Sequence, residues 1–123
     1  MGEEKRKVTP RRGEIWMVNF DPAQGSEIRK TRPALILQND IANRYSPVTI
    51  VAAITSNVAE PLYPTEVLIE AGEGGLRIRS AALLNQIRSI DTRRLMKRLG
   101  VVHIETIERV NRALEISLGI VEI

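Results

Sequence analysis

Five short apolar runs separated by polar, Gly- or Pro-containing segments set the rhythm of the first ninety residues. Gly13–Phe20 (GEIWMVNF) alternates well enough to predict a strand, which Asp21-Pro22 terminates. Arg32–Gln38 (RPALILQ) predicts a second strand, with a turn region running from Asn39-Asp40 to Ser46-Pro47. Val48–Ser56 (VTIVAAITS) is nearly all apolar and β-branched, the signature of a central strand covered on both faces. Thr65–Glu70 predicts a fourth strand, the glycines of Ala71–Gly75 a turn, and Ser80–Ile90 a longer fifth strand. The period then changes. Asp91 suits the N-cap of a short basic helical turn through Leu99. From His103 to Leu118, Ile104, Ile107, Val110, Leu114 and Leu118 recur three or four apart, giving one apolar stripe, opposite Glu105, Glu108, Arg109 and Arg112. Short strands at this spacing followed by a helix predict a mainly β (α+β) chain: a compact antiparallel barrel with a helix packed on it.

At 123 residues with 43% hydrophobic and 27% charged side chains, the chain has one domain's worth of core. We expect a flexible basic tail over residues 1–11 and a single domain over 12–123. No apolar run reaches the roughly 18 residues of a membrane span, and the start lacks a signal-peptide core, so a cytoplasmic protein that does not engage membranes is expected. Without cysteine there are no disulfides, thiolate metal sites or cysteine nucleophiles. One histidine leaves no paired-histidine acid–base system and no His-rich metal centre, so neither metal nor cofactor is expected.

The net charge of +3 says less than it suggests. Five cations and two carboxylates fall in residues 1–12; removing them from totals of 18 and 15 leaves 13 of each sign in the body. Local clustering has to carry any argument for an anionic partner. Arg29, Lys30 and Arg32 provide it, beside a flexible loop. Arg32 precedes Pro33, which holds its backbone extended and aims the side chain in a defined direction. An anion site and an ordinary salt bridge are both open to it. Thr55 ends the apolar third strand where Ser56-Asn57 begins, so its hydroxyl either donates to a phosphate or bonds the adjacent turn. Asn85, Gln86 and Arg88 interrupt the fifth strand, Gln86 and Arg88 on one face by simple alternation; they form either a base-reading platform or a polar outer face. Arg77 and Arg79 could extend a basic rim. Arg93, Arg94, Lys97 and Arg98 read as a solvated face with a secondary phosphate contact as the alternative. His103 sits at a helix start away from the rest, which favours a surface role.

Read as one string, RRGEIW at 11–16, DP at 21–22, GSE at 25–27, TRPALILQND at 31–40, SPVTIVAAITS at 46–56 and LNQIRSIDTRRL at 84–95 resemble the MazF/PemK family of toxin–antitoxin ribonucleases. The likeness covers roughly residues 11–120; the RP-x-L-I-x-Q-N-D block and the IVAAITS strand are its distinctive parts. It implies an SH3-like barrel of the CcdB/MazF type, a homodimer, and a groove binding single-stranded RNA. It implies sequence-specific cleavage with Arg32 and Thr55 as the catalytic pair. The implied RNA contacts fall on Glu27, Arg29 and Lys30, on Ser56 and Asn57, and on Asn85, Gln86 and Arg88. Close relatives carry an acidic residue where Asn85 stands, so base recognition there is expected to differ. The resemblance also implies an acidic antitoxin covering the groove.

In such a reaction the RNA 2′-OH attacks the adjacent phosphorus and expels the 5′-oxygen, leaving a 2′,3′-cyclic phosphate and a 5′-OH. Arg32 suits charge neutralisation through its planar fork. It suits proton abstraction poorly, so a water or a carboxylate such as Glu27 takes that step, or Arg32 serves as the acid. Two other functions fit a small barrel: a CcdB-like topoisomerase poison, which the ending LGIVEI lacks the aromatic residue for, and a plain SH3-like interaction module.

Overall fold

The computed structural model describes residues 8–20 and 31–123. Six strands, β1 (Glu14–Asn19), β2 (Thr31–Ile36), β3 (Val48–Thr55), β4 (Glu66–Ile69), β5 (Ser80–Asp91) and β6 (Leu95–Val101), form one antiparallel sheet in the order β4-β5-β3-β2-β1-β6. Helix α1 (Asp40–Tyr45) joins β2 to β3, and α2 (Ile104–Ser117) follows β6. The ladder is open, with β4 and β6 as its edges, so the fold is a mainly β antiparallel sheet with a C-terminal helix.

The sheet carries apolar side chains on both faces. Ile15, Leu35, Ala52, Ile54, Val67, Ile69, Leu84 and Val102 form one cluster with Val110 and Ala113 of α2. That is the stripe the helical spacing predicted, although Ile104 and Leu118, its two ends, are exposed. Val18, Ala34, Ile36, Val51, Ile90 and Leu95 form the second cluster, with Val8, Trp16 and Phe20 packed on it. Of the expected basic tail, residues 1–7 lie outside the described residues; beyond them Pro10 is buried and the Arg11 amide donates to Glu14 at 2.9 Å.

Two elements differ from the sequence expectation. The segment read as a basic helical turn through Leu99 is a 3₁₀ turn over Thr92–Arg94 followed by strand β6. Asp91 does cap that turn, accepting from the Arg93 amide at 2.8 Å. β6 escapes a period-two reading because its register with β1 shifts twice, between Ile15/Trp16 and between Met17/Val18, which scrambles the alternation of LMKRLGV. Its run of exposed Met96, Lys97 and Arg98 belongs to an edge strand, where charge discourages further pairing.

The second is α1, which occupies the expected turn region. It has no apolar stripe; side-chain hydrogen bonds hold it instead. Asn39 caps it through Ala42 at 2.8 Å, and buried Asn43 accepts from Thr49 Oγ1 at 2.7 Å and Gln38 Nε2 at 2.9 Å while donating to the Gln38 carbonyl at 2.9 Å. Asp40 accepts from the Arg12 amide at 2.7 Å. The polar QND that follows β2 is therefore scaffold: a satisfied buried network that fixes the β2–β3 connection.

Candidate functional site

The site begins with a missing hydrogen-bond donor. Along β2, Leu37 N donates to Ile50 O of β3 at 2.8 Å, whereas Ile36 O accepts on the β1 side from Gly13 N at 2.9 Å. Odd positions thus bond toward β3, and position 33 is proline, which has no N–H to give. The β2–β3 pairing accordingly runs Ile36↔Val51, Leu35↔Ala52, Ala34↔Ala53 and stops. Carried two residues further, the same register sets Arg32 opposite Thr55, at the end where the strands part.

A cleft of about 620 Å³ opens there. Met17, Pro33, Ile54 and Leu99 give it an apolar lining, Thr55, Ser56 and Asn57 add a polar lip, and Arg32, Arg77 and Lys97 bring charge. None of the described residues lining it is acidic. The Thr55 hydroxyl oxygen accepts from the Asn57 amide at 3.0 Å, which fixes the oxygen and leaves its proton free to donate into the cleft.

A further wall comes from the segment Gly75–Ser80, anchored by buried Leu76 and Ser80. It can lie against β6 only because both sides are glycine. A Cβ on Gly75, whose φ is +80°, would sit 2.1 Å from the Leu99 carbonyl oxygen, and one on Gly100 2.6 Å from the Gly74 carbonyl carbon. Glu73, at the start of the 3₁₀ turn Glu73–Gly75, accepts from the His103 amide at 2.9 Å and from Thr106 Oγ1 at 2.6 Å, pinning this wall to the first turn of α2.

Thirteen cations lie in the described residues, and eight have partners. Arg98 is held by buried Glu14 at 2.8 Å, Arg79 by Glu60 at 2.7 Å, Arg93 by Asp91 at 3.0 Å, and Arg88 lies over the Phe20 ring at 5.1 Å. The side chains of the other five make no hydrogen bond, ion pair or ring contact among the described residues: Arg32, Arg77 and Lys97 in the cleft, and Arg11 and Arg112 elsewhere. The salt bridge open to Arg32 from its sequence context is thus not formed among the described residues.

Of the residues expected to matter, Arg32, Thr55, Ser56 and Asn57 meet in this cleft. Asn85, Gln86 and Arg88 do not line it. Strict alternation fails for them, because the β3–β5 register jumps from Ala52↔Ile87 to Ile54↔Ala82 and leaves Leu83 to Gln86 opposite Ala53 alone. Asn85 and Gln86 are neighbours on this bulge and both are exposed. Glu27, Arg29 and Lys30 lie outside the described residues. His103 offers α2 only its backbone; its side chain makes no capping bond and does not reach the cleft. Lys97 also lines the cleft, although nothing in the sequence singles it out from Arg93, Arg94 and Arg98. Among the described residues no three His, Cys, Asp or Glu side chains cluster, and no helix is long and apolar enough to cross a membrane.

Comparison with known proteins bears on the same residues. Residues 11–118 match the model of the PemK-like, MazF-like toxins of type II toxin–antitoxin systems. Endoribonuclease EndoA of Bacillus subtilis is 41% identical over 112 residues, 91% of this chain and 97% of that protein. Endoribonuclease MazF of Staphylococcus saprophyticus is 43% identical over 110 residues, 89% and 92% of the two chains. A crystal structure of MazE-MazF from Deinococcus radiodurans superposes with a TM-score of 0.73 at 26% identity, covering 92% of this chain and 98% of that one. The chain therefore belongs to the family of PemK-like, MazF-like toxins of type II toxin–antitoxin systems.

Proposed function

We propose that the chain does what its relatives' names describe: it is an endoribonuclease, the toxin of a type II toxin–antitoxin pair, and it cuts single-stranded RNA at the end of the β2–β3 ladder. The observation that carries this reading is that Arg32 and Thr55 line one basic cleft whose described lining has no carboxylate. The 2′-OH of one nucleotide attacks the adjacent phosphorus; the O2′–P bond forms and the P–O5′ bond breaks. Arg32, whose side chain pairs with no carboxylate among the described residues, spreads two donors over the non-bridging oxygens as the phosphorane gathers charge. The Thr55 proton is a third donor, on an oxygen already fixed by the Asn57 amide. A base takes the 2′-OH proton and an acid returns one to O5′. Glu27 or a water is the proposed base, since an arginine stays protonated.

Because the RNA supplies its own nucleophile, the reaction requires no metal, and its products end in a 2′,3′-cyclic phosphate and a 5′-OH. The exposed Asn85, Gln86 and Arg88, together with Glu27, Arg29 and Lys30, are the proposed base readers. The finer architecture belongs to the same reading: an SH3-like barrel curled from the sheet where β5 bends at its bulge, paired into a homodimer across the groove and working in the cytoplasm. An acidic antitoxin is the proposed partner. The family's description as toxins of toxin–antitoxin systems supports it, and the basic cleft offers the complementary charge. RNA cleavage by wild type and by Arg32→Ala tests this function: cutting lost in the variant supports it, and growth arrest that persists in Arg32→Ala favours a CcdB-like poison.

A further inference from the structure

Arg32 is one of three cations in the cleft, and a single scissile phosphate does not account for the other two. Lys97 lies across β1 from Pro33, through the pairs Met17↔Lys97 and Met17↔Pro33, so its backbone is two strand spacings, about 10 Å, from β2. Arg77 lines the same cleft, on the segment that Gly75 lets lie against β6. Carboxylates are available nearby and are used elsewhere: Arg79, two residues along, takes Glu60 at 2.7 Å and reaches Glu70 at 3.6 Å. Arg77 and Lys97 receive none among the described residues. An exposed cation by itself is only a solvated side chain. Two that converge on a concave, partly apolar surface create a focused positive potential, which favours an anion held there.

We propose that Arg77 and Lys97 form a second anion subsite, which grips the RNA phosphate next to the one being cleaved. The proposal rests on the endoribonuclease reading. It makes the two residues binding elements that set how the strand lies across Arg32, with no part in the bond changes. Their contribution is the same in the ground state and the transition state, so it resides in KM.

The experiment is steady-state cleavage of a single-stranded RNA by the full chain at salt concentrations from about 50 to 200 mM. Arg77→Ala, Lys97→Ala, Arg77→Lys and Lys97→Arg are compared with wild type, and Arg112→Ala, equally unpartnered but outside the cleft, is the control for overall charge. For each alanine variant KM is expected to rise roughly tenfold with kcat within about twofold of wild type. The slope of log(kcat/KM) against log salt should become shallower by about 0.7 for each cation removed. The charge-keeping variants should restore the slope, and Arg112→Ala should leave it unchanged. Unchanged slopes in Arg77→Ala and Lys97→Ala, or an equal fall in Arg112→Ala, overturn the subsite while leaving the nuclease intact. A wild-type protein that cuts no RNA overturns the nuclease reading itself.

Discussion

Arg32 and Thr55 line one cleft just beyond the last β2–β3 pair, Ala34↔Ala53, where Pro33 has no N–H with which to continue the ladder. The Thr55 hydroxyl oxygen takes the Asn57 amide, and its proton is the proposed donor to the scissile phosphate. Thr55→Val removes both and should lower cleavage roughly 10- to 100-fold, the range expected for a hydrogen bond to a charged group. Thr55→Ser keeps the hydroxyl and should stay within about threefold of wild type, since only a methyl group is lost. Rate measurements on the two variants at matched folded fraction check this.

Gly75→Ala should destabilise the fold and damage the cleft together. Its left-handed backbone disfavours any side chain, and a Cβ would collide with the Leu99 carbonyl oxygen. Gly72 has a similar φ of +97° but nothing within 4 Å of the added atom. Denaturant titration should therefore give a loss of about 1–2 kcal/mol for Gly72→Ala and a clearly larger one for Gly75→Ala.

Glu73 acts as a helix cap borrowed from another element. Glu73→Ala should cost about 1–2 kcal/mol, the scale of a lost N-cap near a helix dipole, by denaturant titration. His103→Ala leaves the backbone amide that Glu73 uses and removes a side chain with no capping bond, so stability and cleavage should both survive. A large loss of activity in His103→Ala would assign the histidine a role that this geometry does not give it.

Asp91 sets an acid-side limit. The Arg93 side chain and amide hold its carboxyl at about 2, below an ordinary 3.8. As the pH falls, the unfolded chain takes up this proton first, so the stability Asp91 contributes is intact above about pH 4 and is lost as the pH falls through 2. The dependence of melting temperature on pH between about 4 and 2 should be shallower in Asp91→Asn than in wild type. The difference should be small, because solvent screens an exposed pair.

How legible each part was follows from what holds it. β3 announced itself as eight residues of mostly β-branched apolar side chains, and α2 by a stripe at helical spacing; both are encoded by local pattern. α1 is encoded by polar side-chain bonds from Asn43 to Gln38 and Thr49, and β6 by a doubly shifted pairing with β1; neither leaves an apolar periodicity to read. The site divides the same way. Arg32 next to Pro33 and Thr55 at the end of an apolar strand were visible one residue at a time. The convergence of Arg77 and Lys97 depends on Gly75 and Gly100 letting two backbones touch, which is a tertiary fact. Simple alternation puts Asn85 and Gln86 on opposite faces, whereas both are exposed on the bulge, which a period of two does not reveal.

The chemistry at Arg32 is tested most directly by the ends of the RNA it leaves. Purified wild type should cut single-stranded RNA in EDTA to fragments ending in a 2′,3′-cyclic phosphate and beginning with a 5′-OH, and Arg32→Ala should lose roughly 100- to 1000-fold in rate, the cost of removing a preorganised donor from developing charge. Fragments with 3′-OH and 5′-phosphate ends, or undiminished cutting by Arg32→Ala, would contradict it.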